Sequence, residues 1–129
     1  MGREGACLIL LVDDDADPLD AFRLLLEAEG FGVVTANSTT GALALLDTAA
    51  PAAIVMDLLM PDMDGFAFRE RQRAMPARRE VPLFVVTGVG EPMEVASRLG
   101  IPVEHCLLKP VEPARLVTLL RAVAIRDAD

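Results

Sequence analysis

Residues 7–15 read CLILLVDDD, six apolar residues followed at once by three aspartates. An apolar run of that length, stopped by polar residues, predicts a strand buried on both faces, as in a parallel sheet covered on either side by helices. The same punctuation recurs downstream. Residues 52–57 read AAIVMD, 82–87 read PLFVVT and 105–109 read HCLLK, each an apolar stretch that ends on a group able to bind, donate or accept. Residues 31–36 (FGVVTA) form a further short run with a blander end at Thr35-Ala36.

Helical signals fill the gaps. Asp17 reads as an N-cap with Pro18 at the first helical position, and Leu19, Phe22, Leu25 and Leu26 form an apolar stripe that stops at Gly30. Ser38 can cap a helix carrying Ala42, Leu43, Leu45 and Leu46, ended before Pro51. A turn-rich loop, 58–65 (LLMPDMDG), precedes a helix from about 66 to 75. Gly88 and Gly90 open a loop before a short helix over 92–99, which Gly100-Ile101-Pro102 ends early. Glu112-Pro113 starts a last helix with Leu116, Leu119, Leu120 and Val123 along one side. Five strands alternating with five helices predict an α/β fold, a flavodoxin-like doubly wound parallel sheet in the order 2-1-3-4-5.

Composition agrees with one core. The 129 residues are 53% hydrophobic, and the aromatics are five Phe, so the core must be aliphatic. A single domain over 1–129 with no effector domain is expected. The net charge of −8 argues against nucleic-acid binding by this chain itself. Cys7 and Cys106 match no metal or redox spacing and read as thiols in a reducing compartment. No secretion signal precedes Cys7, and no apolar run approaches the ~20 residues of a membrane span. A cytoplasmic protein without membrane contact is expected.

In an open parallel sheet, sites form beyond the carboxyl ends of the strands. Here those ends carry Asp13-Asp14, Asp57, Thr87 and Lys109. Each has an ordinary alternative, as a helix cap, a capping hydroxyl or surface decoration; their convergence on one rim is the signal. Clustered carboxylates must hold a proton or share a cation, and a hard ion such as Mg²⁺ resolves the conflict. A hydroxyl and an ammonium beside them suit the oxygens of a phosphoryl group. Lys109 is the only Lys among twelve basic residues, which hints that a compact ammonium is required there.

The segments 8-LILLVDDD-15, 54-IVMDLLMPDMDG-65, 85-VVTG-88 and 107-LLKP-110 resemble the receiver domains of two-component response regulators, over nearly the whole chain. The resemblance implies that Asp57 is the phosphoacceptor, in a reaction the chain catalyses on itself, together with the slow loss of phosphate. It implies that Asp14 ligates Mg²⁺ directly, Asp13 through water, with Asp57 and the backbone carbonyl of Leu59 completing the set. Thr87 and Lys109 would contact the phosphoryl group, Gly88 and Leu58 would line its site, and Lys109-Pro110 would be cis. The donor would be a sensor histidine kinase or a phosphotransfer protein. Output would run through the fourth strand, fourth helix and fifth strand to a protein partner that the sequence does not name, from a monomer or a phosphorylation-dependent dimer.

The sequence departs from the family where the signal leaves. Receivers usually carry Tyr or Phe three residues before the Lys, coupled to the Thr; here the switch pair is Thr87 and Cys106. His105 is expected on the opposite face by strand alternation, in a structural role. Val111 stands where Phe is common. Leu59 and Val89 flank the path of an attacking water and cannot orient it, which predicts a long-lived phosphoryl group. The arginines of 69–79 (RERQRAMPARR) read as a solvated helix face, or as a docking patch for an acidic partner. Two other classes remain: a haloacid-dehalogenase-like phosphatase built on Asp13-x-Asp15, and a receiver-like binding module that is not phosphorylated. The first lacks an acidic pair after Lys109 and a cap domain; the second sits poorly with a complete acidic set.

Overall fold

In the computed structural model, which describes residues 7–128 with side chains through Val123, strands and helices alternate along the chain. They are β1 (Leu8–Val12), α1 (Ala16–Ala28), β2 (Gly32–Ala36), α2 (Thr39–Ala49), β3 (Ala53–Asp57), α3 (Gly65–Arg73), β4 (Leu83–Thr87), α4 (Pro92–Leu99), β5 (Cys106–Leu108) and α5 (Pro113–Ala128). The sheet is parallel throughout, in the order β2-β1-β3-β4-β5. The ends of the expected 1–129 domain, 1–6 and 129, lie outside the described residues.

Strand alternation sorts the core into two layers. Leu10, Val12, Ile54, Met56, Leu83 and Val85 face one side, with Ala42 and Leu46 of α2, Phe68 of α3 and Leu99 of α4. Ile9, Leu11, Ala53, Val55 and Phe84 face the other, with Leu19 and Leu26 of α1 and Leu116 and Leu120 of α5. Because both faces are covered, the inner strands read as unbroken apolar runs.

Two sequence expectations change here. The N-cap of α1 is Asp15, not Asp17: Asp15 is extended and its carboxylate accepts the Asp17 N–H at 3.2 Å. Pro18 then falls within the first turn, where its missing N–H leaves no bond unmade. His105 belongs to a 3₁₀ turn over Val103–His105 rather than to β5, which begins at Cys106. The expected side is right, since its ring stacks on Phe84 with centroids 3.9 Å apart, while Cys106 lies in the opposite layer.

The arginine-rich segment is a set of clamps on helix ends. Arg69 donates from Nε to the Leu99 carbonyl at 2.9 Å and from Nη2 to the Gly100 carbonyl at 3.3 Å, and Arg73 also reaches the Leu99 carbonyl. Gly100 closes α4 in the left-handed region (φ 71°), and a Cβ there would strike the Arg73 guanidinium. Arg78 treats α2 likewise, donating to the carbonyls of Leu46 and Asp47 at 2.8 and 3.0 Å. These bonds satisfy carbonyls that a helix end leaves without partners. Neither a solvated face nor a docking patch describes Arg69 or Arg78; Arg71 and Arg79 do stand exposed.

Gln72 anchors the turn between α3 and β4 from a fully buried position. Its amide donates to the carbonyls of Arg78 and Val81 at 3.0 and 2.9 Å, and its oxygen accepts from Arg69 at 2.8 Å. Gln72→Leu keeps comparable bulk but orphans these groups, and each buried unpaired group costs about 1–3 kcal/mol. Urea unfolding is expected to show a lower midpoint, equivalent to a loss of about 2–4 kcal/mol; an unchanged midpoint would mean that the turn does not depend on Gln72.

Candidate functional site

The strand ends converge because the strands are parallel and in register. Asp57 closes β3 opposite Val86, and Thr87 closes β4 opposite Leu108. Beyond these pairs the sheet pattern continues for one more bond on each strand: the Asp13 N–H reaches the Ala36 carbonyl, the Leu58 N–H reaches Val86, and the Lys109 N–H reaches Thr87. Asp13, Asp57, Thr87 and Lys109 therefore share one rim of the sheet. Asp14, the next residue after Asp13, joins them.

Carboxylate oxygens of Asp13, Asp14 and Asp57 all lie within 4.8 Å of one another. The Lys109 ammonium sits 2.9 Å from Asp57 Oδ2. Asp57 is nearly covered, with 12% of its side chain exposed, whereas Lys109 is 47% exposed. Burial pushes the Asp13 carboxyl above its ordinary range, the backbone N–H of Asp15 partly opposes this, and repulsion from Asp57 and Asp14 adds to it. The hydrogen bond to Asp57 pushes the Lys109 ammonium upward, so it stays charged. An apolar cleft of about 540 Å³ flanks the acids, walled by Leu19, Phe22, Val86 and Val111, and it supplies the low-dielectric side of the site.

Three carboxylates against one ammonium leave an excess of negative charge in a small space. The donor set is entirely hard oxygen, the chemistry that suits Mg²⁺ better than a soft metal, so the residues fit that ion. The remaining expected groups divide. Thr87 is 1% exposed, and its hydroxyl is engaged with Val89, donating to the carbonyl at 3.0 Å and accepting the N–H at 3.1 Å. A Cβ on Gly88 would meet nothing within 4 Å, so space beside Thr87 is open. The Lys109–Pro110 peptide is cis, as the resemblance implies.

Leu58 does not fit its expected role. Its side chain is 3% exposed in the core, and its N–H is taken by the Val86 carbonyl. The amide that turns toward Asp57 is that of Leu59, whose N–H lies 3.4 Å from Oδ1, long for a hydrogen bond. Cys106 pairs with Val85 across β4–β5 and is buried, and that burial pushes its thiol upward. The phosphatase alternative also loses its second acid, since the carboxylate of Asp15 is the cap of α1 and stands outside the acidic trio.

Sequence reading missed Asp62. It passed as one more turn residue in LLMPDMDG, yet its carboxylate holds the start of α2, more than twenty residues earlier in the chain. No local pattern announces a bond of that range. Asp64, in the same loop, is the N-cap of α3, accepting the Ala67 N–H at 3.0 Å.

Comparison with known proteins points the same way as this geometry. The description of the response regulator receiver domain matches residues 9–121. An uncharacterised 14.6 kDa protein from the sodA1 3′ region of Leptolyngbya boryana is 38% identical over 115 residues, covering 88% of this chain and 86% of that protein. A transcriptional regulatory protein, the CpxR homolog of Haemophilus influenzae, is 32% identical over 120 residues, 93% of this chain and 51% of that protein. The chain thus spans about half the length of this and several other curated relatives. The chemotaxis response regulator CheY4 of Vibrio cholerae superposes with a TM-score of 0.81 at 28% identity, covering 92% of this chain and 98% of that one.

The charge excess has a measurable consequence. Asp13→Asn keeps an oxygen for the Asp15 N–H, now 2.9 Å from Oδ1, and removes one of three crowded charges. A carboxyl raised by folding is no burden below its unfolded value near 3.8 and is fully penalised once the pH passes its folded value. Without divalent ions, the variant is expected to be more stable than the unaltered protein at neutral pH, by about 1 kcal/mol or less because solvent screens a partly exposed group. That advantage should vanish in acid. Thermal melts at pH 7 and pH 3.5 check it, and a destabilised variant at pH 7 would contradict it.

Proposed function

Because the chain belongs to the response regulator receiver domain family, we propose that Asp57 accepts a phosphoryl group from a phosphohistidine on a sensor kinase or phosphotransfer protein. The observation that supports this most directly is the acidic trio within 4.8 Å, with Lys109 bonded to Asp57 at 2.9 Å. In this reading Asp14 and Asp57, the Leu59 carbonyl and, through water, Asp13 would hold Mg²⁺. When bound, the ion would offset the carboxylate charge and that of the incoming phosphoryl oxygens.

The chain's own residues account for the rest. An Asp57 carboxylate oxygen forms the new bond to phosphorus as the bond from phosphorus to the imidazole nitrogen breaks, and the departing imidazole takes a proton from solvent water. Lys109 exchanges its contact with Asp57 for one to a phosphoryl oxygen, which keeps an ammonium beside the charge that arrives. Thr87 trades its bonds with Val89 for another phosphoryl oxygen. The transfer needs positioning and charge stabilisation rather than covalent machinery, so a small domain suffices. Such a chain is a signalling domain that modifies itself rather than an enzyme acting on other substrates.

The output face in this reading is the edge formed by β4, α4 and β5. Val89, Met93, Val103 and Leu108 are large apolar side chains that stand 46% to 76% exposed around it. Exposed apolar side chains on a chain of net charge −8 suit a protein partner, or a second phosphorylated copy, better than nucleic acid. Among the described residues no helix is long and apolar enough to cross a membrane, and a cytoplasmic site of action fits a phosphohistidine donor.

Incubation with a small-molecule phosphodonor and Mg²⁺ tests the reading. Intact mass should rise by one phosphoryl group, peptide mapping should place it on Asp57, and Asp57→Asn should show none; label on Asp13, or none at all, would overturn it. A second measurement follows from Leu59 and Val89, which are 56% and 55% exposed beside the site and carry no group to orient water. Radiolabelled protein is expected to hold its phosphate for many minutes, and Val89→Glu to shorten that time. Loss within seconds from the unaltered chain would refute the slow-hydrolysis expectation.

A further inference from the structure

The loop that carries the chain away from Asp57 is held by a residue outside the chemistry described so far. Asp62 Oδ1 accepts the Thr39 N–H at 3.1 Å, and Oδ2 accepts the Thr40 N–H and the Thr40 hydroxyl, each at 3.0 Å. A further bond runs back from the Thr39 hydroxyl to the Met63 carbonyl at 2.6 Å. All of them join 62–63 to the first turn of α2. The Thr40 and Thr39 amides hold the Asp62 carboxyl far below the usual carboxylate range.

Helix α2 has its own cap. Ser38 accepts the Gly41 N–H at 3.0 Å, the pattern expected of a local N-cap. Asp62 takes the two preceding amides, which Ser38 leaves unpaired, and sets a negative charge at the positive end of the helix. A helix needing only to be closed could use water there. Asp62 instead spends an entire carboxylate on a connection between two loops.

Those two loops are the ones that shape the acidic pocket. The 58–64 loop is pinned at its feet, with the Leu58 N–H on Val86 and the Gly65 N–H on the Leu58 carbonyl at 2.7 Å. Between the feet, Met60 is buried and Leu59 faces solvent next to Asp57, so the crest has Asp62 and Thr39 as its remaining anchors. On the other side, α2 follows β2, whose final carbonyl, Ala36, accepts the Asp13 N–H at 3.2 Å. The bonds of Asp62 therefore connect the segment bearing Asp57 and Leu59 to the segment that backs Asp13.

We propose that Asp62 is a positioning residue for the pocket, locking the 58–64 loop to α2 so that the Leu59 backbone and the Asp57 carboxylate are preorganised against Asp13. The inference rests on the Mg²⁺-dependent reading above. It predicts that Asp62 acts on metal affinity rather than on the folding of α2 alone. Groups that orient metal ligands from outside the coordination set commonly matter by about 10–100-fold in affinity.

The test compares Asp62→Ala, Asp62→Asn and Ser38→Ala in the full chain, reading the Mg²⁺ dissociation constant by calorimetry and amide exchange at Thr39 and Thr40. Asp62→Ala should lose protection at both amides and bind Mg²⁺ about tenfold more weakly. Asp62→Asn, which keeps one acceptor oxygen for this helix end, should recover part of that affinity. Ser38→Ala breaks the local cap of the same helix and should leave Mg²⁺ affinity within about twofold, since its contacts do not extend to the loop. Unaltered Mg²⁺ binding in Asp62→Ala, or an equal loss in Ser38→Ala, would overturn the proposal while leaving the pocket reading intact. Failure of the unaltered protein to bind Mg²⁺ would overturn the pocket reading and this inference together.

Discussion

Mutual repulsion among Asp13, Asp14 and Asp57 is the constraint around which this structure is arranged. Their oxygens lie within 4.8 Å of one another, at strand ends that the sheet's register does not allow to separate. One ammonium, Lys109, offsets part of the charge from 2.9 Å. The fold carries the remaining cost because both faces of the sheet are packed with aliphatic side chains, from Ile9 and Leu10 through Phe84 and Val85. Stability made there is what holds the acids together, and their excess of negative charge is what a bound cation would offset.

Elsewhere the molecule solves a second problem, the unpaired polar groups at helix ends, and it does so with side chains from distant segments. Asp62 closes the start of α2, Arg78 its end, and Arg69 with Arg73 the end of α4. Gln72 joins this scheme by fixing the turn that delivers Arg78. Each such bond satisfies a group that would otherwise face solvent or be stranded, and each also links two elements that the backbone does not connect directly. Helices α2, α3 and α4 are stitched into one layer in this way, and on the opposite face Arg121 of α5 likewise donates to the carbonyl of Glu29, which closes α1, beside the apolar contacts of that layer.

The sheet and the acidic rim were legible in the sequence because both depend on short-range signals. A short unbroken apolar run stopped by polar residues reads as a strand buried on both faces, and Asp13, Asp57, Thr87 and Lys109 each stand directly after such a run. What stayed illegible depends on long-range partners. Arg69 and Arg78 look identical to exposed arginines until the carbonyls of Leu99 and Leu46 arrive beside them. Asp62 looks like a turn residue for the same reason. Leu58, which the resemblance places at the phosphoryl site, instead has its side chain in the core and its N–H in the β3–β4 ladder, a placement that depends on the strand register. The cap of α1 moved from Asp17 to Asp15 because four aspartates within residues 13–17 offer competing caps, and only backbone geometry chooses between them.

The path by which a change at Thr87 can reach α4 is narrowed by the same bonds. Cys106 is buried and small, so rotation of a large ring between solvent and core is not available at that position. Thr87 instead holds the β4–α4 loop directly, through paired bonds to the N–H and carbonyl of Val89. The two ends of α4 are unequally restrained. Its start, at Glu91, has no side-chain cap, whereas its end is fastened by Arg69 and Arg73, and Arg98 lies 3.7 Å above the Phe66 ring of α3. The first turn of α4, where Met93 is 76% exposed, is thus the less restrained end of the helix, next to the loop that Thr87 holds.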